Sequence, residues 1–297
     1  NHPQTVWKIV LFLPVFCPTI GAHLKIGFNY MNKYLNIQNY KFKFHYYKDM
    51  FFYRPSYDIK KIQDEEFKKF KKYGFNYDEA LIKLDSILKE IGMENFDSQK
   101  GMASLHWVLF CAISQKTTIN RILEFGAFDG LTTLIISKIF PKAKITTIDL
   151  PEDDPIFSNS YQRDNKEYRK LFLQKQKKNT SGDNITLIKK NSFFINEVVN
   201  ETFDLIWVDA GHLYPEISWD ICNSYHLCNK NGWLMYDDII PNQKQSSDYD
   251  SSDSYNILQY VKQRSENDMT LFLKRFDPEF SANPSRRKYI ALIEKNA

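Results

Sequence analysis

Between Arg121 and Ile239 the chain alternates short β-branched runs with longer amphipathic stretches, and this alternation restricts the fold more than anything else in the sequence. The runs RILEFGAF, AKITTIDL, NITLIKKNS, FDLIWVDAG and GWLMYDDI read as strands. LTTLIISKIF, EYRKLFLQKQKK and YPEISWDICNSYHLC carry apolar residues three and four apart and read as helices. Five strands separated by helical segments demand a parallel sheet wound on both faces. After them come the Ser/Asp-rich run QSSDYDSSDS (245–254), expected to be a mobile loop, and a helix at SYNILQYVKQRS. Two strand-like runs, MTLFLKRF and RRKYIALIEK, then close the chain, joined by a segment holding Pro278 and Pro284. The expected fold is therefore α/β: a doubly wound, Rossmann-like, seven-stranded sheet of five parallel βα units plus a C-terminal antiparallel strand pair. Upstream, YDEALIKLDSILKEIGM and GMASLHWVLFCAISQ read as two amphipathic helices, and no internal repeat is visible.

In open parallel sheets, ligands bind beyond the carboxyl ends of the strands, near the reversal of strand order. Glu124, Gly126 and Gly130 close the first strand, where glycines let backbone amides approach a ligand at a helix N-terminus. Asp149 closes the second strand at the spacing, about 20 residues on, from which an acid accepts both hydroxyls of a ribose. A dinucleotide site wants GxGxxG, but Phe128 takes the second glycine position and Leu131 the third. That disfavours a nicotinamide or flavin cofactor, and the absence of GxxxxGK[ST] disfavours a triphosphate. The remaining pattern, ExGxxxG, suits a nucleoside with a small zwitterionic tail. Glu124 can reach an ammonium, directly or through water, while backbone amides and Thr132 can hold a carboxylate. S-adenosyl-L-methionine fits this description.

The stretch EFGAFDGLTTLIISKIFPKAKITTIDL resembles the cofactor-binding unit of class I S-adenosylmethionine-dependent methyltransferases, most closely the small-molecule O-methyltransferase branch of catechol- and macrocin-type enzymes. The resemblance runs from about Tyr77 to Ala297. It implies Glu124 near the methionine amine, Gly126, Ala127, Phe128 and Gly130 along the cofactor, Thr132 at its carboxylate, and Asp149 with Leu150 at the ribose. The family often places an acid or a Gly-Asp-Ser-like turn after the third strand for the adenine; this chain has Asn191 and Ser192, and an Asn carbonyl can accept from the adenine amine. A terminal antiparallel hairpin on the sheet edge is also a family feature.

Methyl transfer from a sulfonium is an in-line displacement, so the acceptor must be aligned and made nucleophilic. Asp209 ends the fourth strand with His212 three residues on, and Asp237 and Asp238 end the fifth. Three carboxylates on neighbouring strand ends suit a hard divalent cation, which lowers an alcohol's pKa by binding the alkoxide. The resemblance implies Mg2+ on Asp209, Asp237 and Asp238, with Asp209 also beside the cofactor. It places His212 where catechol-type enzymes have a general-base lysine. The blander readings are that Asp237 and Asp238 cap the next segment or face solvent, and that His212 bonds a loop carbonyl. His106, on an apolar helix face, reads as a packing histidine, and Asp129 as a residue bonded to its own turn.

The 297 residues, 43% hydrophobic, suffice for one large core and an appendage, expected as an N-terminal extension (1–73) ahead of a domain at 74–297. A net charge of +4, from 40 basic and 36 acidic residues, gives no electrostatic case for nucleic acid. Cys17, Cys111, Cys222 and Cys228 form no CxxC pair and read as buried free thiols, in keeping with a cytoplasmic setting. The uncharged stretch from Ile9 to Leu24 is interrupted by Pro14, Pro18 and Gly21 and is too short to span a bilayer. With the aromatic and basic run after it, it reads as a lid, a homodimer arm or a peripheral membrane contact. The expected function is S-adenosylmethionine-dependent O-methylation of a hydroxylated small molecule or sugar. Two other classes stay open: a catalytically silent S-adenosylmethionine-binding or scaffold protein, and an NAD-dependent oxidoreductase.

Overall fold

The computed structural model describes residues 51–100, 104–241, 251–265 and 267–296. The expectations for Ile9 to Leu24, for Cys17 and for the aromatic run to residue 50 lie outside the described residues.

Within them, the alternating pattern becomes one seven-stranded sheet in the order β3-β2-β1-β4-β5-β7-β6. Its strands are β1 (Arg121–Phe125), β2 (Lys144–Asp149), β3 (Ile185–Lys189), β4 (Phe203–Val208), β5 (Cys228–Ile239), β6 (Met269–Leu273) and β7 (Tyr289–Glu294). The first five run parallel, and β7 lies antiparallel between β5 and β6. This is the doubly wound, Rossmann-like sheet with a C-terminal antiparallel pair that the sequence predicts. Strand order reverses between β1 and β4, so the crevice for a ligand opens at their carboxyl tips.

Helices α1 (Ile59–Lys72), α2 (Tyr77–Glu90) and α3 (His106–Lys116) precede β1; α4 (Leu131–Ile139) follows it. A short α5 (Pro155–Asn159) and α6 (Lys166–Asn179) link β2 to β3, α7 (Glu216–Leu227) links β4 to β5, and α8 (Asp253–Ser265) and α9 (Pro278–Ser281) flank β6. Their starts are set by side-chain caps: Asp58 accepts from the amide of Lys61, Asn76 from those of Asp78 and Glu79, and Asn165 from those of Glu167 and Tyr168.

The two faces of the sheet carry separate cores, because alternate strand residues point opposite ways. Ile122, Leu205, Trp207 and Met235 pack with Leu84, Leu88, Leu109 and Ile135 on one side. Leu123, Phe125, Ile206, Val208 and Leu234 pack with Ile217, Ile221 and Leu258 on the other.

Residues 59–72, expected as part of an N-terminal extension, form a helix laid on the edge strand β6. The Phe70 ring meets Phe272 at 5.2 Å, the Glu66 Oε2 accepts from the amide of Leu273 at 3.1 Å, and Lys69 donates to the carbonyl of Leu271 at 2.7 Å. Side chains of α1 thus satisfy backbone groups that an edge strand would leave open.

The segment expected as a mobile loop is described only from residue 251, and there it is packed. Ser251 and Ser254 are buried, and Asp253 opens α8 while accepting from the amide of Tyr214 at 3.0 Å. Composition missed this because the anchoring partner is 39 residues away. Cys111 and Cys228 are buried as expected, with their thiols pushed up to about 12 by burial, whereas Cys222 is exposed on α7. No helix among the described residues is long and apolar enough to cross a membrane.

Candidate functional site

The turn from β1 to α4 is built around two glycines, for reasons internal to the protein. Gly126 has φ +91°, and a Cβ there would stand 2.3 Å from the backbone carbonyl oxygen of Asp209. Gly130, at φ +78°, would press its Cβ to 2.9 Å from both Asn179 Cβ and Thr180 Cγ2 at the end of α6. The sequence reading gave these glycines the task of admitting a ligand. The structure shows that β4 and α6 already come close enough to forbid a side chain. Asp129 behaves as expected of a turn residue, its Oδ1 accepting from the amide of Leu131 at 3.0 Å. Ala127 is buried, while Phe128, with φ +47°, is partly exposed and meets the rings of Tyr161 and Phe172 at about 5 Å.

Glu124 is fully buried beneath this turn. Its Oε2 accepts from Thr133 and, at 2.7 Å, from Thr147; Oε1 has no partner among the described residues. Burial pushes the carboxyl up to about 7, against the two threonine hydrogen bonds, and the nearby Asp209 and Asp149 add to the rise. A buried acceptor oxygen left open at a crevice is suited to an ammonium donor. Thr133 and Thr147, which orient the acid, are absent from the sequence reading. Thr132 is partly exposed and takes a long contact of 3.4 Å from the indole of Trp107.

Asp149 stands at the tip of β2. Its Oδ1 accepts from the amide of Leu150 at 2.9 Å and its Oδ2 from Gln176 at 2.6 Å, with Lys189 at 3.8 Å. Burial raises its pKa, and Lys189, Leu150 and Gln176 hold the rise back. Gln176 also donates to the carbonyl of Phe128 and accepts from Lys189, so one amide ties the glycine turn to the acid. No motif marks Gln176; it lies on α6, whose packing alone brings it here. Asn191, expected at an adenine, spends its Oδ1 as a cap on the amide of Phe193 at 3.0 Å, and its Nδ2 points to Asp154 at 3.3 Å. Ser192 opens the 3-10 turn that follows.

At the tips of β4 and β5, the structure gathers Asp209, His212, Asp237 and Asp238 together with two residues that sequence reasoning missed, Lys274 and Lys288. The gathering has a structural cause. Tyr236 pairs with Ala291 and Ile239 with Tyr289, so β5 carries one extra residue and bulges at the two acids, with Asp238 at φ +52°. Lys274 follows β6 and Lys288 precedes β7; their backbones pair at 2.9 Å, so the terminal hairpin delivers both ammonium groups beside the bulge. Lys274 donates to Asp237 Oδ2 and, at 2.6 Å, to Asp238 Oδ1; Lys288 donates to Asp238 Oδ2 at 2.8 Å. Burial would raise both carboxyls, but Lys274, with Lys288 for Asp238, holds them below the usual range. The same pairing overcomes burial at Lys274 and holds it at about 12.

His212 Nε2 faces Asp209 Oδ1 at 3.6 Å, longer than a hydrogen bond, and its Nδ1 is buried without a partner among the described residues. Burial alone would lower its pKa, but Asp209, Asp238 and Asp237 raise it on balance. Asp209 is pushed up to about 7 by burial and by Asp237. His106 stacks on Trp207 at 4.8 Å and meets Ser104 through Nδ1 at 2.7 Å. Burial drops it to about 3, so it is a neutral packing residue at neutral pH, although its Nε2 has no partner among the described residues.

This donor set does not fit the divalent cation expected at Asp209, Asp237 and Asp238. Three of the four oxygens of the Asp237–Asp238 pair already accept from lysine. Among the described residues no group of three or more His, Cys, Asp or Glu side chains is arranged to hold a metal ion. The blander expectation, that the two acids cap a segment or face solvent, also fails, because Asp237 is buried and Asp238 half-buried, both against Lys274. The nucleoside crevice, in contrast, has an open buried acceptor at Glu124 and an acid at the tip of β2.

A family model described as a methyltransferase domain matches residues 123–239, from the first strand of this crevice to the end of β5. Among curated proteins no relative matches. Solved structures with a similar fold include the O-methyltransferase TomG from Streptomyces achromogenes, involved in tomaymycin synthesis, in complex with SAM. It is 12% identical, covering 75% of this chain and 92% of that one with a TM-score of 0.44. An O-methyltransferase from Bacillus cereus in complex with SAH is 13% identical over 72% of this chain and 90% of that one, at a TM-score of 0.43. Cofactor-bound Rv0187 from MTB is 16% identical over 73% and 88%, at 0.46.

Proposed function

We propose, from the premise that residues 123–239 are a methyltransferase domain, that this chain transfers a methyl group from S-adenosyl-L-methionine to the oxygen of a hydroxylated small molecule or sugar. The observation that carries the reading is the open buried Oε1 of Glu124 beside the reversal of strand order, with Asp149 at the next strand tip. In this reading Glu124 receives the ammonium, the turn Gly126–Gly130 and Thr132 receive the carboxylate end, and Asp149, positioned by Gln176, receives the ribose. Asn191 and Ser192 border the adenine, through faces not already committed to Asp154 and the 3-10 turn. When bound, the cofactor supplies a methyl group on a sulfonium, which needs no further activation.

The acceptor must be made nucleophilic, and this chain's own groups do that. His212 turns Nε2 toward Asp209, which leaves Nδ1 as the atom that takes the acceptor's proton. With the methyl donor held at Glu124 and Asp149, His212 Nδ1 would take the O–H proton of the acceptor as the acceptor oxygen becomes the nucleophile. Closeness and alignment of the two reactants can lower the barrier by about 7–11 kcal/mol.

The test is thermal stabilisation by S-adenosylhomocysteine, the demethylated product, in the wild type and in Asp149→Ala, alongside NAD. The expected result is a saturable rise in melting temperature with S-adenosylhomocysteine alone, lost in Asp149→Ala. Stabilisation by NAD instead would replace this reading with an oxidoreductase. A bound cofactor with no methyl transfer to any member of a panel of hydroxylated acceptors would leave a binding protein.

A further inference from the structure

We infer that Lys274 is the resident cation of this site, standing where a divalent metal would otherwise be held, so that the methyl transfer proposed above runs without a metal. The inference rests on that reading for the reaction, but its structural core stands apart from it. The geometry comes first. A Mg2+ ion requires near-octahedral oxygen ligands at about 2.0–2.1 Å. The Lys274 ammonium is bonded to both Asp237 and Asp238 and occupies the space between them that such an ion would need. Its side chain is almost wholly buried, at 7% exposure, so it is part of the site's floor and not a passing surface contact.

Charge leads to the same conclusion. Asp209, Asp237 and Asp238 bring three negative charges when ionised, and Lys274 with Lys288 returns two positive ones, the same number as one divalent cation. A metal added on top of both lysines would meet two like charges in a buried setting, where repulsion is poorly screened. The fold also invests in this arrangement: a bulge with a left-handed Asp238 on β5 and a hairpin that places two lysines at its tip. Asp237 Oδ1 remains buried and without a partner among the described residues. Lys274 acts as a positioning residue: it fixes the two acids and sets the local charge beside the Asp209–His212 pair, which faces the acceptor.

The experiment begins on the full chain after dialysis against EDTA. Mg2+ and Mn2+ are titrated without cofactor, following the melting temperature and, for Mn2+, its free fraction by electron paramagnetic resonance. The wild type is expected to show no saturable response to either metal, and its methyl transfer to be unchanged by EDTA. Lys274→Ala is expected to gain a saturable Mn2+ site at least tenfold tighter than any in the wild type, whereas Lys274→Arg stays unresponsive. Should the alanine variant fail to fold, Lys274→Gln, which still donates to one aspartate but carries no charge, takes its place. Saturable Mn2+ binding by the wild type, or transfer that EDTA abolishes and Mg2+ restores, would overturn the inference. So would an uncharged variant that folds and remains blind to metal, since that is how a purely structural lysine behaves. The metal titrations contain no cofactor; failure of S-adenosylhomocysteine to stabilise any variant would therefore remove the functional reading while leaving the metal result intact.

Discussion

Replacing Gly126 by alanine isolates the contact on which the whole crevice is built. Two effects add. At φ +91° an L side chain is strained by about 1–2 kcal/mol. The new Cβ would also lie 2.3 Å from the Asp209 carbonyl oxygen, 2.8 Å from its carbon and 3.0 Å from Ala210 Cα, all backbone atoms. Relief by a side-chain rotation is therefore impossible. Nor can the turn swing away easily, because the Gly126 amide is bonded to the carbonyl of Ile148 at 2.8 Å and the Asp209 amide to that of Phe125 at 2.9 Å. Overpacking of this kind costs typically ~1–3 kcal/mol, so the sum is roughly 2–5 kcal/mol. Gly74→Ala supplies the control: its φ of +69° is also positive, but a Cβ there meets nothing within 4 Å, leaving only the backbone strain. Urea unfolding of both variants measures the difference, and S-adenosylhomocysteine stabilisation of Gly126→Ala should fall as well, since Asp209 has to shift. If Gly126→Ala were no less stable than Gly74→Ala within about 0.5 kcal/mol, ordinary surface-level tolerance would apply and the close approach of β4 to the turn would be refuted.

Two further perturbations probe the acids of the crevice. Glu124 has a folded pKa raised from 4.5 to about 7, so the native state keeps a proton that the unfolded chain has lost. Its stabilising contribution is full below pH 4.5 and disappears as pH rises through about 7, with a limiting slope of about 1.4 kcal/mol per pH unit. Between pH 5 and pH 8 the wild type should therefore lose stability relative to Glu124→Gln, and a flat difference in urea unfolding would show that the acid is not desolvated; the same variant should bind S-adenosylhomocysteine at least about tenfold more weakly. Gln176→Leu leaves the Phe128 carbonyl and Asp149 Oδ2 without their shared donor, a loss of about 1–3 kcal/mol; calorimetry should find weaker S-adenosylhomocysteine binding, and unchanged affinity would show that Gln176 positions nothing.

The sequence by itself determined the sheet and the position of its crevice. A period of two in the β-branched runs and of three to four in the stretches between them is a local property, and the parallel winding follows from connectivity alone. Glu124, Gly126 and Asp149 were legible for the same reason, because strand ends in such a sheet share one edge. Tertiary structure decided what surrounds them. It set Thr133 and Gln176 against the two acids through helix packing, and Thr147 against Glu124 through the pairing of β1 with β2, none of which a motif records. It packed Ser251 and Ser254, which composition assigned to a loop. Above all, it turned two of the three strand-end carboxylates that looked like metal ligands into partners of lysines more than 30 positions away, since Lys274 lies 36 residues from Asp238 and Lys288 lies 50. Charge neutralisation in a buried site depends on distance in space, and only the antiparallel hairpin on β5 brings those ammonium groups within reach.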